Sequence, residues 1–145
     1  MSERRIVQIN FSRTATVGTI RGMHYQNSPH AEMKLIRCLR GKVWDVALDL
    51  RADSNTFMKY HAEELTSENT KMMVIAEGCA HGFQVLTEDS ELLYLHTNHY
   101  TPGAEGAVRY NDPAFGIEWP LGVTDISERD KMQHIVPNDF PGILL

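Results

Sequence analysis

Apolar and polar residues alternate with a period of two along residues 43–50. Trp44, Val46, Leu48 and Leu50 fall on one face, and Val43, Asp45, Ala47 and Asp49 on the other. One face is wholly apolar and the other mixed, which is the pattern of a β-strand laid over a core. The same reading gives strands at residues 18–25, 34–39, 56–65, 71–75, 81–86 and 91–97, and Arg40-Gly41-Lys42 is a glycine-bearing connection of the hairpin kind. Turn signals stand at Asp53-Ser54-Asn55, Ser67-Glu68-Asn69, Glu77-Gly78 and Pro102-Gly103. Short strands punctuated in this way fold into a sandwich or barrel of antiparallel strands. The stretch NDPAFGIEWPL at residues 111–121 holds too much Pro and Gly for a helix. Only SERDKMQ, residues 127–133, has helical composition, with Ser127 as its N-cap. The tail, residues 140–145, ends in Ile-Leu-Leu and is expected to pack against the barrel or a second subunit.

A chain of 145 residues without repeats or linkers supports a single domain over residues 1–145. It is long enough to bury a core without disulfide or metal staples. Fourteen Lys and Arg against 19 Asp and Glu give a net charge of −5, with the basic residues scattered, so nucleic acid and acidic membrane surfaces are poor partners. There is no apolar run of membrane-spanning length, and MSERRIVQINFSR lacks the apolar stretch of a signal peptide. The expected compartment is the cytoplasm, where Cys38 and Cys79 remain reduced.

Three stretches carry polar side chains suited to chemistry. RGMHYQ, residues 21–26, places Arg21, His24, Tyr25 and Gln26 on one strand. Simple alternation puts His24 and Gln26 on one face and Arg21 on the other, so Arg21 and His24 share a site only if the strand bulges near Gly22. AEGCAHGF, residues 76–83, resembles the second half of the cupin pattern Pro-x-Gly-x-x-His, with Ala76 in place of the proline. A metal site there needs further ligands converging with His24 and His81, and His30 or Glu32 are the only candidates to complete it. A Cys79–His81 nucleophilic pair is a third reading. In LLYLHTNHYTPGAEG, residues 92–106, Tyr94, His96, Asn98 and Tyr100 share parity and would line one face of a continuous strand.

GTIRGMHYQ, EMKLIRCLRGKVWDVALDLR, EGCAHGFQVL, LLYLHTNHYTPGAEGAVRYNDPAFGIEWPL and ISERDK occur in the order of the motifs of the dTDP-4-dehydrorhamnose 3,5-epimerase family. The resemblance runs from about Val7 to Lys131. It implies an all-β, cupin-type jelly roll with one short C-terminal helix, no metal or other cofactor, and a homodimer. The implied substrate is a nucleoside-diphosphate 4-keto-6-deoxy sugar, epimerised at C3, C5 or both. A sugar-nucleotide-binding cupin without activity, or a 3,4-ketoisomerase on the same scaffold, is the alternative.

Position by position, His24 matches the family's catalytic base, Asp130 the aspartate paired with it, Tyr94 the proton donor and Lys34 the lysine near the sugar carbonyl. Arg21 and His81 match positions that contact phosphates and sugar. Tyr100 matches a tyrosine stacking on the nucleotide base, Glu105 another substrate contact, and Gln26 completes the expected binding set. The sequence departs from the family in two places. It begins after a segment that precedes the first matched strand in longer members. And where the family commonly has Tyr-Lys-Thr-Thr, this chain has Tyr94-Leu95-His96-Thr97, which retunes the pocket around Tyr94.

Overall fold

The computed structural model describes residues 3–145. Nine strands follow one another: β1 Gln8–Thr14, β2 Ile20–Gln26, β3 Lys34–Arg40, β4 Lys42–Asp49, β5 Tyr60–Thr66, β6 Met72–Ile75, β7 Cys79–Val85, β8 Ser90–His96 and β9 Glu105–Ala107. A single helical turn, α1 (Glu128–Lys131), comes near the end. The strands form two antiparallel sheets, one ordered β1-β8-β3-β6 and the other β5-β4-β7-β2-β9. This is the cupin-type jelly roll expected from the sequence.

All seven expected strands are present, most with their ends shifted by a residue or two. The stretch expected from residue 56 becomes a strand only at Tyr60. Before it, Thr56 turns its hydroxyl onto the Asp49 carboxylate at 2.6 Å, and Met58 adopts a φ of 62° that no strand accommodates. The helix expected over 127–133 contracts to one turn, but its cap is the expected one, with the Ser127 hydroxyl accepting from the Asp130 amide at 3.1 Å.

Strands β1 and β9 were not expected. In β1 the alternation is present, with Ile9 and Phe11 against Asn10 and Ser12, but it is inverted relative to a core strand. Ile9 and Phe11 are 65% and 58% exposed, while Asn10, also exposed, lies in register with Tyr94 on the opposite side of the strand. β1 is an edge strand paired only with β8, so nothing in its composition marks a buried face.

Cores lie on both sides of the five-stranded sheet. Between the sheets, Ile36, Cys38, Met73, Ile75 and Leu92 meet Val43, Leu65, Phe83 and Val85. On the outer side, Val46, Leu48 and Leu50 pack with Met23, Ala80, Val108 and Phe115, under a cover that includes Trp119, Phe140 and Ile143. The wholly apolar face of β4 is thus buried beneath the C-terminal meander, and its mixed face looks across to the other sheet. Each Leu or Ile closed off in this way contributes roughly 1.5–3 kcal/mol, which is what holds a loop-rich C-terminal third in place. The tail divides: Ile143 donates its amide to Leu50 at 2.7 Å and Phe140 stacks on Phe57, whereas Leu144 and Leu145 stay exposed.

Candidate active site

The polar constellation depends on a bulge in β2. Arg21 lies in register with Phe83 of β7 and His24 with His81, so Gly22 and Met23 together oppose the single residue Gly82. Two residues against one reverses the alternation, and side chains three positions apart come to the same face. Gly22 permits this with a φ of 143°, and a Cβ there would sit 2.5 Å from the Gly82 Cα. Arg21 and His24 consequently line one cavity of about 500 Å³ with Lys34, His81, Tyr94 and His96.

His24 Nε2 lies 2.7 Å from Asp130 Oδ1. Asp130 is 2% exposed, and its second oxygen accepts from the Gly22 amide at 3.3 Å. Burial by itself raises a carboxyl pKa, but the hydrogen bond and charge of His24, with help from the Gly22 amide and Ser127, hold Asp130 below the ordinary aspartate value. An ionised carboxylate only accepts, so Nε2 carries the proton and Nδ1 is left as the basic nitrogen.

Tyr94 enters from the facing sheet, in the row Asn10–Tyr94–Ile36–Met73. Its hydroxyl accepts from Ser12 at 3.3 Å, and burial pushes its pKa well above that of a free phenol, so it stays protonated. His81 presents its ring edge to Tyr94 at 6.0 Å and pairs through Nε2 with the fully buried Asp45 at 2.7 Å. Lys34 is in register with His96 and donates to the His24 carbonyl at 3.4 Å. It also lies 3.4 Å from Glu32, whose other oxygen meets His96 Nδ1 at 2.8 Å.

A second cavity of about 650 Å³ shares Arg21 and His24 with the first and extends past Arg13, Arg129 and Asp130. At its edge Glu105 accepts from both Arg129 (3.2 Å) and the hydroxyl of the half-exposed Tyr100 (2.9 Å). Tyr100 and Glu105 therefore stand outside the first cavity. β8 ends at His96, so Asn98 and Tyr100 do not continue the row that shared parity suggested.

Gln26 lies on neither cavity wall. Buried at 4% exposure, it spends its amide on the backbone, donating to the carbonyls of His30 and His99 and accepting from the Thr101 amide at 2.7 Å. It braces the loop after β8, with both of its N–H donors spent on these loop carbonyls. Two of the open readings also lose their support. Among the described residues no three His, Cys, Asp or Glu side chains converge as a metal site requires, and Glu32 is turned to His96 and Lys34. Burial pushes the Cys79 thiol up, the reverse of what a nucleophile needs, and His81 is held by Asp45. Sequence reasoning passed over Ser12, considered Glu32 only as a metal ligand, and gave Asp45 no role beyond its place on the mixed face of its strand. Asp45, one of two aspartates on the mixed face of β4, was the one the pattern could have exposed.

An antiparallel jelly roll whose facing sheets put a histidine, a lysine and a protonated tyrosine around one cavity, with a buried aspartate of α1 holding the histidine, is a cupin-type scaffold arranged for acid/base work. The profile of the dTDP-4-dehydrorhamnose 3,5-epimerase family matches residues 1–137. The chain belongs to that family. A dTDP-4-dehydrorhamnose 3,5-epimerase of Salmonella typhimurium is 43% identical over 125 residues, covering 86% of this chain and 68% of its own. The crystal structure of the Bacillus anthracis dTDP-4-dehydrorhamnose 3,5-epimerase, with TDP and PPi bound, superposes with a TM-score of 0.89 at 34% identity, over 92% of this chain and 76% of that one. An epimerase from Legionella pneumophila in complex with dTDP-4-keto-L-rhamnose gives 0.83 at 41% identity, over 88% and 67%. The chain thus spans about two-thirds of the length of its Salmonella relative.

Proposed function

We propose that this protein inverts C3, C5 or both in a nucleoside-diphosphate 4-keto-6-deoxy sugar, the dTDP sugar being the first to test. The observation that carries the reading is the convergence on a single cavity of His24 from one sheet, held from behind by Asp130 of α1, with Tyr94 and Lys34 from the other sheet. A ketone at C4 acidifies the hydrogens on C3 and C5, since loss of either gives an enolate on the same oxygen. In the gluco configuration both hydrogens lie on one side of the ring, so one base below and one acid above serve both centres.

His24 takes the proton through Nδ1, and Asp130 stabilises the imidazolium that forms. Lys34 holds the enolate oxygen; a donor in this role is typically worth about 3 kcal/mol of barrier. Tyr94, kept protonated by burial, returns a proton to the opposite face. Arg21, on the wall shared by both cavities, directs the diphosphate toward the second, with Arg13 and Arg129 as further cations there. His81 contacts the sugar. The half-exposed ring of Tyr100 is placed to stack on the base, with Glu105 fixing its hydroxyl.

The acting unit is a homodimer. The outer face of the four-stranded sheet carries a continuous registered row, Ile9–Leu95–Leu35–Val74. The ends of this row, Ile9 and Val74, are 65% and 57% exposed, and such a face needs a cover. Sedimentation of the protein and of Val74→Lys tests it, a dimer becoming a monomer in the variant. The compartment is the cytoplasm, in keeping with the free thiols of Cys38 and Cys79; among the described residues no helix is long and apolar enough to cross a membrane.

The deciding experiment is deuterium uptake from heavy water at C3 and C5 of dTDP-4-keto-6-deoxyglucose, followed by NMR. Exchange at one or both carbons is expected, with loss at both in His24→Ala. No exchange with any 4-keto nucleotide sugar would sink the epimerase reading. Binding without exchange would leave the non-catalytic cupin, and movement of the ketone to C3 would identify the ketoisomerase.

A further inference from the structure

His96 stands where the family pattern has a threonine, and its surroundings are unusual for a buried imidazole. Its side chain is 9% exposed, it lies on the wall of the first cavity, and it stacks nearly parallel on Tyr94, at 6.1 Å and 11°. Nδ1 meets Glu32 Oε2 at 2.8 Å, while Nε2 is buried without any hydrogen-bond partner. A buried polar atom left unpaired is costly and rare, so a partner arriving with a ligand is the physical expectation.

The kind of partner follows from Glu32. Burial pushes its carboxyl up, but the hydrogen bond from His96 and the charge of Lys34 outweigh this and hold it ionised. An ionised carboxylate accepts only, so Nδ1 bears the proton, and in the neutral form of the ring Nε2 is an acceptor. The group that satisfies it must be a donor. Position narrows the choice further. His96 is directly in register with Lys34 on the neighbouring strand, where cross-strand side chains are about 5 Å apart at Cβ.

With Lys34 at the C4 carbonyl, the substituents adjacent to it are the C3 hydroxyl and the C5 methyl of a 6-deoxy sugar. Only the hydroxyl donates. We infer that His96, fixed as the Nδ1–H tautomer by Glu32, is a specificity-determining residue that accepts a hydrogen bond from the C3 hydroxyl of the sugar. This rests on the epimerase reading for the placement of the sugar. Glu32 is the positioning residue that sets the tautomer, and the pair selects for an oxygen-bearing C3.

Isothermal titration of the unmodified protein and of His96→Phe with dTDP-glucose and its 3-deoxy analogue tests this. Phe keeps the ring against Tyr94 and removes the acceptor. The unmodified protein is expected to bind dTDP-glucose about tenfold more tightly than His96→Phe does, with the 3-deoxy analogue binding both alike. Equal binding of dTDP-glucose by the two proteins, or equal losses for both sugars in the variant, overturns the assignment while leaving the epimerase reading intact. Failure of dTDP-glucose to bind the unmodified protein overturns the assignment as well, and the epimerase reading is then decided separately by the exchange experiment with other 4-keto nucleotide sugars. Should His96→Phe not fold, ¹⁵N NMR of the unmodified protein decides. His96 Nε2 must appear unprotonated and must shift with dTDP-glucose but not with the 3-deoxy analogue, and a protonated Nε2 ends the proposal.

Discussion

His24 and Asp130 stand 106 positions apart in sequence, and their side chains meet at 2.7 Å. The contact joins a bulged strand to a single helical turn, and it fixes which ring nitrogen is left to serve as the proposed base. Asp130→Asn keeps the shape but offers an amide in place of the carboxylate. Deuterium exchange should fall by about 100-fold or more, measured as the initial rate at C3 and C5, with the melting temperature changed far less than the rate.

The same carboxylate makes a pH prediction. Its native pKa lies below the ordinary aspartate value of about 3.9. A depressed pKa contributes stability that is present above the unfolded value and is lost as pH falls through the native one. Urea melts between pH 6 and pH 2 should therefore show stability declining below about pH 4, with a shallower decline in Asp130→Asn. Parallel curves for the two proteins would show that the pair contributes nothing.

Gly22 allows Arg21 and His24 to share a face. Gly22→Ala combines a φ of 143° with a Cβ only 2.5 Å from the Gly82 backbone, so either β2 or β7 must move. The variant should lose about 2 kcal/mol or more in urea unfolding, and any folded fraction should exchange deuterium poorly because the bulge no longer presents both side chains.

Tyr94→Phe separates two steps. In the proposed mechanism, proton removal by His24 does not need the phenol, whereas delivery to the opposite face does. The variant should retain washout of the substrate's C3 and C5 hydrogens but accumulate little inverted sugar, read by NMR from exchange and product in the same tube. Equal loss of both signals would remove Tyr94 from the donor role.

Asp49 offers a control away from the site. Its carboxylate accepts from the Arg51 guanidinium (2.8 Å and 2.9 Å), Ser54 (2.5 Å) and Thr56 (2.6 Å), and these bonds outweigh burial to hold its pKa far below the usual range. Asp49→Ala should cost about 2–3 kcal/mol of stability by leaving those donors unpaired. Exchange at 25 °C should be unaffected, since Asp49 lines neither cavity.

The sequence by itself determined seven of the nine strands, the antiparallel class and the Ser127 cap, and it marked His24, Lys34, Tyr94 and Asp130 as candidates through family resemblance. Period-two alternation and turn residues are local, and long motifs are legible wherever they fall. Tertiary structure decided the rest. β1 hid because its apolar side chains face outward, and the wholly apolar face of β4 went under the C-terminal meander instead of between the sheets. Gln26 became a loop brace because the groups that claim its amide, His30, His99 and Thr101, belong to loops folded over it. The bulge that unites Arg21 with His24 and the Glu32–His96 contact exist only once strands pair in register, and no one-dimensional pattern encodes which residue stands opposite which.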